Sequence, residues 1–301
     1  MRRRRGVVGK GAGRTISVER TIPAERERIQ AELLVGTLGL LLVQKVGWVF
    51  WGMHRLGVWP PFPAWLWWSV AASVGFALVV WLLRAATGAA AVMGAFVCLN
   101  ILLGQVQGGS WKETAMPGLI ALFVLTFAAT RFGRARKVRM RVAESKRGRK
   151  AVQILANLGM AGMCAGAGSP VLFAACVAAL AEATADTVSS EMGQALGGRT
   201  LLITSWREVP AGTDGGISIA GTTLGAAAAG VIVLVMALVG AMTFEMGMVV
   251  FGAGVTGLVF DSWLGATVER RGWLGNDLVN FCSTGFAAAM AGLVMWGMGW
   301  G

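Results

Sequence analysis

Nine apolar stretches of roughly 16 to 25 residues dominate this 301-residue chain, the length a helix needs to cross bilayer hydrocarbon. Their approximate limits are 32–53, 64–83, 85–104, 115–132, 151–168, 169–185, 217–241, 246–266 and 278–300. Apolar residues make up 55% of the chain, charged residues only 14%, and the mean hydropathy is +0.65, which excludes an ordinary soluble domain. The runs are continuous and do not alternate, so a strand barrel is excluded as well. The predicted fold is all-α: a polytopic transmembrane helical bundle of about nine spans. Around Gly166 to Pro170, two broken or re-entrant segments are the alternative to two full spans. Many of the 44 glycines fall inside spans, where small residues let helices approach closely, as "GTTLG" at Gly221 to Gly225 would.

Positive charge sets the orientation, because Lys and Arg stay on the cytoplasmic side. With a cytosolic N-terminus, the inner segments hold the tail cations (Lys10 and the arginines), Arg84, the run "RFGRARKVRMRVAESKRGRK" from 131 to 150, Arg199, Arg207, Arg270 and Arg271. Only Lys45, Arg55 and Lys112 are left to the membrane or the outer side, and the C-terminal "WGMGWG" falls outside. The net charge of +12 is thus explained by topology and anionic membrane lipids. The basic residues flank spans and carry no aromatic stacking platform, so no nucleic-acid partner is expected. Met1 to Gln30 is too long and polar for a signal peptide and reads as a cytosolic tail entering an interfacial helix near Ile22 to Gln30.

Cys98, Cys164, Cys176 and Cys282 lie in apolar segments without a C-x-x-C pair, so neither thiolate metal binding nor a structural disulfide is supported. His54 is the sole histidine and has no assignable nucleophile, which excludes triad chemistry and histidine-ligated zinc.

The polar chemistry gathers on the inner side. In "ALAEATADTVSSEMG" (179–193), Glu182, Asp186 and Ser190 recur every four residues and form one helical stripe, with Glu191 beside it. The same loop continues through "RTLLITSWREVP" to "AGTDGGIS", and the next inner loop carries Asp261, Asp277 and Asn280. One membrane carboxylate can be a structural ion pair, whereas several converging on one side point to function. "GTDGG" alone is a turn composition, but at the start of a span its amides could nest an anion. Lys146 to Lys150 are candidates to touch phosphates. Carboxylates, hydroxyls, a glycine-rich loop and nearby Arg are the ingredients of Mg²⁺-dependent phosphoryl or nucleotidyl transfer. Placement among spans implies a lipid substrate and a soluble nucleotide.

"RKAVQILANLG" (149–159), "AEATADTVSSEMG" (181–193), "TSWREVPAGTDGGIS" (204–218), "GLVFDSWLGATVE" (257–269) and "NDLVN" (276–280) resemble, in order, the motifs of the integral-membrane family that includes transmembrane protein 19 and the phytyl-phosphate kinases. The chain has Leu158 and Asp214 where that family usually has glycine and asparagine. The resemblance covers about Arg84 to the C-terminus. It divides the chain into a basic tail with an interfacial helix (1–30), two extra N-terminal spans (31–83) and a catalytic membrane domain (84–301).

The resemblance implies a kinase that converts an isoprenoid monophosphate, such as phytyl phosphate, to the diphosphate at the cytoplasmic face. Mg²⁺ would be the metal and a nucleoside triphosphate, CTP favoured, the co-substrate. Asp186, Glu191 and Asp261 are the expected catalytic metal ligands, and Gly212, Thr213, Asp214, Gly215 and Gly216 the phosphate-binding loop. Lys150, Asn157, Arg207 and Asn280 are further candidates for phosphate or substrate contact. A CTP-dependent lipid cytidylyltransferase or polyprenol kinase is the related alternative. A lipid or ion transporter is the alternative of another class, although transporter sites usually lie at mid-membrane between inverted repeats.

Overall fold

The helix with the smallest side chains holds the centre. In the computed structural model, which describes residues 22–57, 63–105, 110–140, 148–166 and 168–301, helix α7 (Pro170–Leu196) is buried at every residue from Ala174 to Ala185. Apart from Glu182 and Thr184 that segment is apolar all round, which leaves it no solvent face. Ser169 caps its start by accepting from the Leu172 amide, Pro170 supplies the preset φ of a first helical residue, and Gly197 at φ +75 ends it. Around α7 pack α4 (Met116–Arg131), α6 (Ala151–Cys164), α8 (Ile219–Leu238), α9 (Phe244–Leu264) and α10 (Asn276–Gly297). Outside them lie α1 (Ala24–Arg55), α2 (Ala64–Leu82) and α3 (Gly88–Gln105), with α3 and α1 on α6 and α2 on α3.

All nine apolar stretches fold as helices, yet they are not nine equal spans. Among the described residues six helices (α1, α2, α7 to α10) are long and apolar enough to cross a membrane. The α4–α5 pair, bent by 62°, makes up to a seventh, α5 being Arg134–Met140. Helices α3 and α6 are shorter. Gly166, Gly168 and Pro170 stop α6 after 14 residues, about 21 Å at 1.5 Å per residue and less than the roughly 30 Å of hydrocarbon.

Ending a helix inside the bundle leaves its last carbonyls without partners. Lys45 of α1 answers this: its Nζ donates to Gly162 O (2.9 Å), Met163 O (2.7 Å) and Ala165 O (2.9 Å). A cation at a helix C-terminus also meets the negative end of the dipole.

The start of α1 corrects an expectation. No separate interfacial helix occupies Ile22 to Gln30, because nothing between Pro23 and Gly36 breaks the helix. Glu25 and Glu27 in the first turn and the Arg28–Glu32 pair support its continuation. The tail before Ile22, and Lys146, lie outside the described residues.

The loops converge at one end of the bundle. Arg26 donates to Gly272 O (2.8 Å), and Gln30 accepts from the Gly275 amide (2.9 Å), tying α1 to the α9–α10 connection. Arg131 donates to Leu83 O (3.0 Å), and Arg136 to Leu196 O (3.0 Å). The segments 131–140 and 196–218 therefore share one end, as the charge pattern expects. Exposed Trp48, Trp51, Trp67, Trp68 and Trp111 mark the opposite end, and Trp206, Trp263 and Trp273 this one, as interfacial belts do.

Candidate active site

At the loop end, a polar cavity of about 260 Å³ opens between α7, α9 and the start of α10. Asp186 on α7 and Asp261 on α9 come within hydrogen-bonding reach of each other. Their helices can approach because α9 presents glycine where it crosses the acids: a Cβ on Gly257 would stand 2.6 Å from the Glu182 Cγ. Ser283 of α10, fully buried, donates to Asp261 Oδ1 (3.1 Å) from behind, and at the rim Asn276 donates to Asn280 Oδ1 (2.7 Å). Glu182, one turn deeper on α7, feels both aspartates, and its Oε1 is buried without a hydrogen-bond partner among the described residues.

Opposite Asp186 stands Arg149, whose guanidinium donates to Thr187 Oγ1 (3.4 Å). Its backbone is pinned to the α2–α3 turn, with Arg149 N donating to Ala85 O (2.9 Å) and Thr87 N to Arg149 O (3.0 Å). Arg149 falls inside the Lys146 to Lys150 run expected to touch phosphates, although Lys150 was the member of that run expected at the site. Only the run of cations marked it, and the phase of a residue before a helix cannot say which way it points.

The glycine loop folds as two successive turns leading into β2 (Gly216–Ile217), which pairs antiparallel with β1 (Leu201–Leu202). Gly212 and Gly215 have positive φ, +87 and +72, and Gly215 packs directly on the Gly265–Ala266 backbone of a single π-turn that follows α9, Gly265–Glu269. The nest expected of this loop is corrected in part. The Thr213 amide donates to Pro210 O and the Gly216 amide to Thr213 O (2.8 Å), so both are spent on the turns themselves.

Of the residues the sequence singled out, Asn157, Asp186, Glu191, Gly212 to Gly216, Asp261 and Asn280 line the cavity, whereas Lys150 and Arg207 do not. Lys150 begins α6 with its side chain exposed, and Arg207 sits exposed in the hairpin, where its carbonyl accepts from Leu202 N. Ser190 and Asp277, also marked in the inner-side segments, line it too, and the cavity further takes in Gln153, Thr187, Ser189 and Glu269.

The grouping of Glu191 with Asp186 and Asp261 around one metal is also corrected. Glu191 forms a nearly buried ion pair with Lys137 of α5, which further donates to Ala129 O and Thr130 O. Among the described residues no three His, Cys, Asp or Glu side chains converge on a metal position. The Asp186–Asp261 pair remains, and two carboxylates suit Mg²⁺, which usually takes the rest of its shell from water and substrate phosphates.

These features define a multi-pass helical membrane protein with a carboxylate-lined polar cavity at one end of its bundle. The chain belongs to the family described as integral membrane protein DUF92, which matches residues 71–288 and so includes the second half of α2. An uncharacterized membrane protein of Synechocystis sp. is 32% identical over 193 residues, 58% of this chain and 70% of the relative. Protein VTE6, chloroplastic, of Arabidopsis thaliana is 30% identical over 208 residues, 65% of this chain and 62% of the plant protein. An uncharacterized membrane protein of Methanocaldococcus jannaschii is 33% identical over 181 residues, 55% of this chain and 70% of the relative. No solved structure matches.

Proposed function

We propose that the polar cavity transfers a phosphoryl group from a nucleoside triphosphate, CTP favoured, to an isoprenoid monophosphate, giving the diphosphate. The observation that carries this reading is the Asp186–Asp261 pair facing Arg149 across a polar cavity at a membrane-protein loop end. Membership of the family of transmembrane protein 19 and phytyl-phosphate kinases supports it.

In this reading Arg149 binds and neutralises the acceptor phosphate, and Asn157 and Asn280 orient it. The turn at Gly212 bounds the nucleotide side without a bulky side chain. Asp186 and Asp261 would hold Mg²⁺, whose chemistry is to neutralise charge on the phosphate oxygens. An acceptor oxygen forms a bond to the γ-phosphorus as the bond to the β,γ-bridging oxygen breaks, and the nucleoside diphosphate leaves. A phosphate monoester is already ionised near neutral pH, so no strong general base is needed. The site faces the cytosol, where the nucleotide is found, in keeping with the inner-side placement of the basic segments.

The test is incubation of the purified protein with γ-labelled CTP, ATP, GTP or UTP, Mg²⁺ and isoprenyl monophosphates, with products separated by mass. Label in an isoprenyl diphosphate is expected. A nucleotide-linked lipid would reveal a cytidylyltransferase, and no product with any donor would sink the reading.

A further inference from the structure

Beside the polar cavity lies a second one of about 540 Å³ with a different character. Phe76 and Val80 of α2, Ala91 of α3, Leu119 and Phe123 of α4 and Ile154 of α6 make its walls apolar. Its loop end is lined by Arg84, Arg131, Arg134 and Arg149. Arg149 and Asn157 line both cavities, so the two spaces adjoin beside Asp186.

We propose that this cleft holds the tail of a single-chain isoprenyl monophosphate, with the phosphate seated between Arg84 and Arg149 at the junction. The identity of the head group rests on the phosphoryl-transfer reading; the tail site rests on the cleft. An apolar space with guanidinium groups at one end is complementary to an amphiphile with an anionic head, because arginine pairs strongly with phosphate at partly desolvated positions. At about 540 Å³ the cleft is within the ordinary size range of small-molecule sites, and its single cationic end seats one anionic head.

Arg84 carries an independent sign of use. The Arg84 amide donates to Trp81 O (2.9 Å) and the Ala85 amide to Val80 O (3.0 Å), the two bonds of a Schellman termination of α2. The residue at that position adopts the left-handed region and is usually glycine. Here it is an arginine at φ 54, strained backbone that sets a guanidinium at the mouth of the cleft. Gly94 lines the cleft about 9 Å along α3 from Gly88, and a Cβ added there meets nothing within 4 Å. A side chain at Gly94 would therefore start into open space and shorten the cleft.

The experiment is photo-crosslinking of the full chain in detergent with a diazirine-bearing geranylgeranyl monophosphate, adducts being mapped by mass. Adducts on the α3 and α4 walls are expected, displaced by geranylgeranyl monophosphate and not by phosphatidylglycerol. Arg84→Gly should bind the probe roughly tenfold more weakly while its melting temperature stays level or rises, which a purely structural arginine would not produce. Gly94→Leu should lose geranylgeranyl monophosphate and keep geranyl monophosphate. Adducts outside the cleft, equal displacement by phosphatidylglycerol, or unchanged binding in both variants would overturn the proposal. Cleft labelling without turnover of any nucleotide would uphold the tail site and remove the phosphoryl-transfer reading; turnover with adducts elsewhere would do the reverse.

Discussion

Asp186 and Glu191 sit on the same helix with different work to do. Five residues apart, they are about 140° apart around α7, so only one of them can face α9. Asp186 meets Asp261 and Arg149, while Glu191 meets Lys137. Asp186→Asn or Asp261→Asn is expected to lower turnover by roughly two orders of magnitude or more in a protein that still folds, since charge is lost without a change of volume. Near-normal kcat in both variants would remove them from the chemistry. Glu191→Ala should act on stability, costing about 3 kcal/mol by leaving a buried lysine with carbonyl partners only. Lys137→Met together with Glu191→Leu should recover most of the lost thermal stability, because a well-packed apolar pair can replace a buried ion pair. The spacing of Glu182, Asp186 and Ser190 made the stripe legible in the sequence. The partner that takes Glu191 away from it lies 54 residues distant, and no local pattern records it.

Helix lengths were less legible than helix existence. Hydropathy found α6 and α7 as two comparable runs, yet α6 stops short and α7 extends through the acidic stripe to Leu196. The glycines and proline at 166–170 end α6, and Lys45, reaching over from another helix, satisfies the carbonyls left there. Lys45→Met should leave three carbonyls of α6 without their cationic cap, at a cost on the order of 2–3 kcal/mol and a melting temperature lower by roughly 5 °C in detergent. An unchanged midpoint would show that water or another group replaces it. Close approach was legible: "GTTLG" reads as a contact surface, and a Cβ on Gly225 would stand 2.6 Å from Ala185 O of α7. Gly225→Leu should therefore push α8 away next to Asp186, costing about 1–3 kcal/mol and lowering activity with it, measured as the parallel loss of melting temperature and turnover.

For the molecule as a whole, one geometric consequence is directly testable. Single cysteines at Arg139 and Ser205, both exposed, should react with an impermeant maleimide from the same side of a sealed vesicle, and one at exposed Lys112 from the other. Labelling of the first two from opposite sides would break both the topology and the shared site. Continuous apolar runs leave helices as the only spanning structure, so the class of the protein is readable in the sequence alone, and charge bias groups the 131–150 and 186–216 segments, of which the fold brings 131–140 and 196–218 to one end of the bundle. The sequence also supplied the two aspartates, through helical spacing and ordered motifs. The packed fold alone makes α7 the hub, brings Lys45 to cap α6, gives Glu191 to Lys137 and puts Arg149 on the border of a polar cavity and an apolar one. The physical reason is range: periodicity and charge bias act along the chain, whereas a cap, an ion pair or a shared cavity wall is set by which helices cross, and that is fixed by packing small residues against one another in three dimensions.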